Sequence, residues 1–449
     1  MSSHRVACRS NLPEDCTLLP LSRGELLVSR SHATFCRIPP EQVAAVRGFL
    51  QGGAADAELP ASLLSALETH GFFGPARPPQ AEERSVQLQL TNACNLGCSY
   101  CCTNSGAARA RELDRDRWFA LVDEIEARLG TKVRIAILGG EPLMVPWGMD
   151  LAERVVERGF KLTLFTNGTP LRDDALAARA ASLIRAGAQV RVSLAGPTRA
   201  SCDSASGAER FDQAIEGLHR VARHGAKAIV DLMLLPDGVE ETAEHLHALR
   251  GLLPPGTVIA FGILFHGGRE QGQRVFASRS ELESALDRIA FEAGESIQAP
   301  SVRPLANRRE GCTCALGHHL HVRSDGGLFT CFKMEEQVGD LGRDAFLEVL
   351  ERVRAAPKPA ATLARCLDCA LATLCGGGCR SENLQLTGSA DEPVCGPWRV
   401  RVLSELLAED RVAALDWPAP HLLGEARARG IEAPDSLQPL IPSRHLIDT

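Results

Sequence analysis

The stretch TNACNLGCSYCC, Thr91 to Cys102, follows the alternating run VQLQL and sets Cys94, Cys98 and Cys101 in a C-x3-C-x2-C spacing. An iron-sulfur cubane has four irons and wants four thiolates, so three cysteines in one tight loop leave one iron open to a substrate or cosubstrate. A structural zinc site closes with four N or S ligands, and Cys102, adjacent to Cys101, is poorly placed to chelate with it. Zinc ligation and simple core filling are the bland readings of the three thiols.

Moving outward, apolar strand-like runs alternate with helical stretches from Val86 to about Phe265, the pattern of a parallel sheet with crossover helices. The strands read VQLQLTN, VRIAILGG, KLTLFTN, VRVSLAG, AIVDLMLLP and TVIAFGILF. In the helix FDQAIEGLHRVARHG, Phe211, Ile215, Leu218 and Val221 share one face and read as core. The second strand ends in Gly139, Gly140, Glu141 and Pro142. Glycines there let backbone approach a ligand, and a neighbouring carboxylate can pair with an ammonium. The third ends in Thr166, Asn167 and Gly168, and the fourth carries Ser193. All these segments follow strands and would share the C-terminal rim of a barrel, where active sites gather.

The C-x3-C-x2-C loop, with Tyr100 before its last cysteine, resembles the signature of the radical SAM enzymes. That resemblance implies a partial (β/α)6 TIM-like barrel over residues 85–300, an α/β fold, and a cluster on Cys94, Cys98 and Cys101 that chelates S-adenosylmethionine. It implies that Gly139, Gly140, Glu141 and Pro142 form the GGEP motif holding the amino group, with Thr166 and Asn167 near the ribose and Ser193 contacting the ribose or carboxylate. The resemblance further implies that one-electron reduction releases a 5'-deoxyadenosyl radical that abstracts hydrogen, the protein contributing positioning, tuning and exclusion of water. The chain departs from the family after Ser193: Ala195 replaces an aspartate, and no arginine shortly follows Asp203.

Residues 1–80 read as a separate small unit, with strands CTLLPL and GELLVSR, helices PEQVAAVRGFL and PASLLSALETHGFF, and the linker GPARPPQ. This unit is similar to the winged-helix elements that bind leader peptides by strand addition to a sheet edge. A structural cap on the barrel is the plainer alternative.

Eight of the sixteen cysteines fall between Cys312 and Cys395. The order Cys314, Cys331, Cys366, Cys369, Cys375, Cys379, Cys395 resembles the SPASM domain, here residues 305–400. The resemblance implies two auxiliary clusters and hence three 4Fe-4S clusters in all. Cys366, Cys369, Cys375 and Cys395 would hold the distal one; Cys314, Cys331 and Cys379 the nearer, with Cys312 or an open iron completing it. His318, His319 and His321 could suggest a further metal, but surface or hydrogen-bonded histidines are the simpler reading. Cys8, Cys16, Cys36, Cys102 and Cys202 read as small buried hydrophobes. Residues 401–449 carry no chemical motif.

The 449 residues suit two or three domains, and the net charge of -7 gives no basic footprint for nucleic acid. No signal-like or membrane-spanning apolar run appears, so a cytoplasmic protein with reduced, metal-binding cysteines is expected. The resemblance implies a peptide maturase acting on a precursor peptide with a leader, reduced by a flavodoxin or ferredoxin. A formylglycine-forming sulfatase maturase is the alternative within enzymes, disfavoured by the roughly 85 residues ahead of Val86, a boundary good to about ±4 residues. A non-catalytic iron-sulfur electron carrier is the alternative of another class. No catalytic acid or base is identifiable.

Overall fold

The computed structural model describes residues 12–20, 24–50, 59–73, 75, 84–263, 269, 288–289, 318–355 and 359–395. These residues divide into two compact units, one of residues up to 75 together with 359–395, the other of residues 84–355.

In the first unit, β1 (Cys16–Pro20), β2 (Glu25–Ser29) and β3 (Thr34–Ile38) form an antiparallel sheet in that order, with β1 and β3 as edges. β3 was not among the expected strands; TFCRI is short, and its alternation sits inside a polar context. The helices α1 (Pro40–Leu50), which begins on a proline suited to the first helical turn, and α2 (Ala61–Thr69) follow as expected. Alternation along β2 and β3 gives the sheet two buried faces. Leu27, Cys36 and Ile38 pack with Val46, Leu63 and Leu67 of the helices. Leu26, Val28 and Phe35 pack against Leu371 and Leu374, beside Cys369 and Cys375. The N-terminal sheet and the C-terminal cysteine region therefore share a core.

The second unit holds all six expected barrel strands: β4 (Ser85–Gln89), β5 (Arg134–Leu138), β6 (Lys161–Thr166), β7 (Gln189–Leu194), β8 (Ile229–Leu234) and β9 (Ile259–Ile263), parallel and in sequential order. Three more strands extend the sheet beyond β4: β10 (His319–Val322) pairs parallel with it, then β11 (Gly327–Phe329) and β12 (Gln337–Asp340) antiparallel. The crossover helices α3 (Arg115–Leu129), α4 (Gly148–Glu157), α5 (Asp174–Arg185), α6 (Arg199–Ser206), α7 (Phe211–Arg223) and α8 (Val239–Leu252) cover one face. Val86, Leu88, Ile135, Ile137, Leu164 and Val192 meet Trp118, Val155, Leu183 and Leu218 there. Phe211, Leu218 and Val221 are buried as expected, and Ile215 packs against the same cluster. Burying each such side chain stabilises by about 1.5–3 kcal/mol before entropy is counted. Helix starts are capped by side chains: Asp114 accepts from Arg117 N at 2.8 Å and Asp173 from Leu176 N at 2.9 Å.

The opposite face of the sheet is polar near β10. His319 Nδ1 lies 2.8 Å from Ser85 Oγ, and His321 Nε2 lies 3.2 Å from Gln89 Oε1. Both histidines are buried and hydrogen-bonded, in keeping with the simpler reading of the HHLH run. Cys36 and Cys202 are buried, whereas Cys102 is exposed and Cys16 half-buried, so the reading of all five as buried hydrophobes is corrected; Cys8 lies outside the described residues.

Candidate active site

The loop after β4 is built by backbone contacts before any side chain acts. Cys94 N donates to Gly106 O and Gly106 N to Asn92 O, both at 2.9 Å, which closes the loop on itself. Gly97 N and Ser99 N donate to Ser206 O at 3.0 Å and Ala205 O at 2.9 Å, fastening the loop's middle to the end of α6. Glu112 fixes its base, accepting from Asn92 N at 2.7 Å, Arg109 N at 3.0 Å, Thr91 Oγ1 at 2.7 Å and Ser324 Oγ at 3.1 Å. Although burial works the other way, these donors hold its carboxyl below the usual range.

Gly139 and Gly140 serve this loop directly. A Cβ on Gly140 would lie 2.0 Å from Ala93 O, and one on Gly139 2.8 Å from Thr91 O. Gly140 N and Glu141 N donate to Thr91 O at 2.8 Å and Ala93 O at 2.9 Å, so the end of β5 runs flush with the approach to Cys94. The close approach anticipated for these glycines is thus, first, to the protein's own cysteine loop.

Glu141 is fully buried. Its carboxylate accepts from Leu143 N at 3.0 Å, Thr166 Oγ1 at 2.8 Å and Asn167 N at 2.6 Å, tying the end of β5 to the end of β6. Burial pushes its pKa up to about 7 against the pull of these donors and of Arg210. Pro142, also buried, opens the short helical turn that follows. Asn167 Nδ2 in turn donates to Asn95 Oδ1 at 2.8 Å, and Asn95 Nδ2 to Thr169 Oγ1 at 2.9 Å. The segments ending β5 and β6 and the cysteine loop form one hydrogen-bonded network.

Arg210 is a member that sequence reading missed. It lies seven positions after Asp203, whose Oδ1 accepts from the backbone N–H groups of Arg210 and Phe211 at 2.8 Å each. Its buried guanidinium donates from Nη1 to Asn167 O at 2.9 Å and Ser193 O at 2.7 Å, and from Nε to Ser206 Oγ at 2.7 Å. The expected gap after Asp203 is filled by a cation entering from the start of α7. Ser193, half-buried on β7, is in register with Asp231 of β8. An arginine directly before an apolar helix was the available signal, but such residues are mostly solvated.

Burial raises the thiols of Cys94 and Cys98. Cys101, half-buried like them, is nevertheless held below its usual range by the Thr103 hydroxyl and the N–H of Ser105, the latter 3.3 Å from Sγ. Tyr100 packs against the barrel core beside them. Among the described residues no three Cys, His, Asp or Glu side chains converge tightly enough for a single metal ion. A cubane asks something different, since each thiolate meets a different iron. Three thiols that sense one another's charge on a closed loop, none in a disulfide, fit that demand.

In the other unit, Cys366, Cys369, Cys375 and Cys395 come together: burial, then Cys375, Cys369 and Cys395, pushes the Cys366 thiol up to about 11. Cys369 N donates to Cys366 O at 3.2 Å. Gly376, Gly377 and Gly378, at φ 71, 79 and 75°, make a left-handed turn open only to glycine at low cost, carrying the chain from Cys375 to buried Cys379. Asn383, fully buried, donates to Gly377 O at 3.1 Å and Ala390 O at 3.2 Å and accepts from Val394 N at 3.0 Å, which positions Cys395. Cys331 is half-buried just after β11. Cys312 and Cys314 lie outside the described residues.

Residues 88–249 match the Radical SAM superfamily. Over 169 residues the chain is 31% identical to GTP 3',8-cyclase of Streptomyces coelicolor, covering 36% of this chain and 48% of that protein. It therefore spans about half the length of that relative. It is 26% identical over 334 residues to PqqA peptide cyclase of Ruegeria pomeroyi, covering 69% of this chain and 86% of the relative. The solved structure of native anSMEcpe with bound AdoMet and Kp18Cys peptide shares its fold at a TM-score of 0.54 and 17% identity, over 77% of this chain and 99% of that one. Residues 88–249 thus carry a radical SAM superfamily domain, and the chain is similar in sequence to peptide maturases such as PqqA peptide cyclase. No helix among the described residues is long and apolar enough to cross a membrane.

Proposed function

We propose that this protein abstracts a hydrogen atom from a ribosomally made precursor peptide and installs an oxidative modification or crosslink, through a thioether or a carbon-carbon bond. The observation that carries this reading is the network in which the three-cysteine loop bonds directly to Glu141 and Asn167, through Ala93 and Asn95, while Thr166 bonds to Glu141. S-adenosylmethionine and a reduced 4Fe-4S cluster, when bound, supply a 5'-deoxyadenosyl radical. Cys94, Cys98 and Cys101 would hold that cluster, and Gly139, Gly140, Glu141 and Pro142 would orient the amino group of S-adenosylmethionine. Tyr100, Thr166, Asn167 and Ser193 would line its remaining length, with Arg210 bracing the carbonyls of Asn167 and Ser193.

Residues 85–300 form the barrel in this reading, and 305–400 the auxiliary-cluster domain, with Cys366, Cys369, Cys375 and Cys395 on the distal cluster. Cys312, Cys314, Cys331 and Cys379 would serve the nearer one. Clusters held there would be acceptors for the electron that the peptide gives up. Residues 1–80 receive the leader, whose backbone adds to an edge of the β1–β3 sheet. A flavodoxin or ferredoxin supplies the reducing electron. The relative named PqqA peptide cyclase and the anSMEcpe structure holding a peptide support a peptide as substrate.

The test is anaerobic reconstitution followed by S-adenosylmethionine, reductant and peptides from short reading frames beside the gene. Formation of 5'-deoxyadenosine with loss of hydrogen mass from a peptide is expected. A protein that binds clusters but forms no 5'-deoxyadenosine is an electron carrier, and this reading then fails.

A further inference from the structure

Arg269 lies far along the chain from the cysteine motif. Four of its N–H groups point at one short segment. The backbone N–H donates to Cys101 O at 2.9 Å, Nη1 to Cys98 O at 2.6 Å, Nε to Asn104 Oδ1 at 3.1 Å, and Nη2 to Ser105 O. Two of these acceptors are the carbonyls of cysteines in the motif. The same carbonyls close the loop's own turns, accepting from Cys101 N and Asn104 N at 3.2 Å each.

The grip is placed where the loop needs it. Asn104 sits at φ 49°, a left-handed conformation that asparagine tolerates but that costs energy unless its surroundings hold it. Arg269 bonds that side chain and the carbonyl of the next residue, Ser105. Its planar fork is suited to several acceptors at once, and its charge is permanent. A cluster becomes more negative when reduced, so a fixed cation beside its ligands favours the reduced form, and charge and hydrogen bonding are known levers on such potentials.

We propose that Arg269 is a positioning residue of the cysteine loop: it fixes the segment from Cys98 to Ser105 and, through its cation, eases reduction of the cluster held there. The inference rests on the radical SAM reading above, because it presumes a reducible cluster on Cys94, Cys98 and Cys101.

The experiment uses the full reconstituted chain and follows the cluster whose reduced spin-resonance signal changes when S-adenosylmethionine is added. Reduced fraction against solution potential and amide exchange over residues 98–105 are measured for wild type, Arg269→Gln and Arg269→Lys. Arg269→Gln should accelerate exchange and lower the reduced-to-oxidised ratio roughly tenfold at fixed potential, about 59 mV for one electron. Arg269→Lys should restore the ratio while leaving exchange fast. Unchanged reducibility in Arg269→Gln, or wild-type exchange in Arg269→Lys, overturns the proposal. If Arg269→Gln takes up no iron in this loop, exchange in Arg269→Lys decides alone. A wild-type protein whose signal ignores S-adenosylmethionine would instead overturn the functional reading itself.

Discussion

Asn167 donates its side-chain amide to Oδ1 of Asn95 at 2.8 Å, so the segment after β6 and the cysteine loop hold each other in place. Asn95 returns a hydrogen bond to Thr169 Oγ1 at 2.9 Å. Replacing Asn95 by Leu strips both bonds and leaves Asn167 with a buried, unsatisfied amide, a cost of about 1–3 kcal/mol. Affinity for S-adenosylmethionine, measured by equilibrium dialysis on iron-loaded protein, should fall roughly tenfold or more. Unaltered affinity would show that the network does not shape the cofactor site.

Gly140→Ala should be more damaging than its size suggests. The added methyl group would lie 2.0 Å from the carbonyl oxygen of Ala93, a backbone atom with little room to retreat. The end of β5 and the approach to Cys94 must then separate. Iron retained by the loop should drop sharply while far-ultraviolet circular dichroism stays near that of wild type. Full iron content in the variant would contradict this.

His321 makes stability fall in acid. Burial, followed by the nearby Arg323 and Arg109, pushes its pKa down to about 3. In an unfolded chain it titrates near 6.5, so the unfolded state takes up a proton that the folded state refuses. The stabilisation is complete above about pH 6.5 and drains away as pH falls toward 3; at pH 5 this group alone costs about 2 kcal/mol. His321→Gln should therefore flatten the stability profile between pH 7 and pH 5. Parallel denaturation midpoints for the two proteins would refute the assignment.

Leu374 is fully buried against Leu26, Val28 and Phe35. Leu374→Ala should cost about 2–5 kcal/mol locally, with the loss spread to the far side of that shared core. Amide exchange in β1–β3 should quicken although the substitution lies more than 330 residues away in sequence. Exchange confined to residues near 374 would mean the sheet stands without that support.

Where the periodic signal was strong, the fold was legible. All six barrel strands fall where alternating or continuous apolar runs placed them, because those runs are what the crossover helices bury. β10 escaped notice as a sheet member. Its residues His319 and His321 are polar, and they are accommodated only because Ser85 and Gln89 offer partners across a pairing that no local pattern reveals. The same holds for the site. The cysteines, Glu141 and Asn167 stand in short motifs, whereas Glu112, Arg210, Arg269 and Asn383 act through backbone groups distant in sequence. Arginine and asparagine occur everywhere on protein surfaces, so nothing local marks Arg210 and Asn383 as buried. The packing of the N-terminal sheet on the cysteine region was likewise invisible, since an apolar strand face does not say what covers it.

Ser85 and His319 sit opposite each other in β4 and β10, 234 positions apart in sequence. A ribosome adding about 5–20 residues per second needs roughly 12 to 47 s to deliver the later strand after the earlier one. Throughout that interval the bare rim of β4 is a template for stray pairing with other nascent chains. Recombinant yield should therefore follow chaperone supply during translation, well before any iron is loaded.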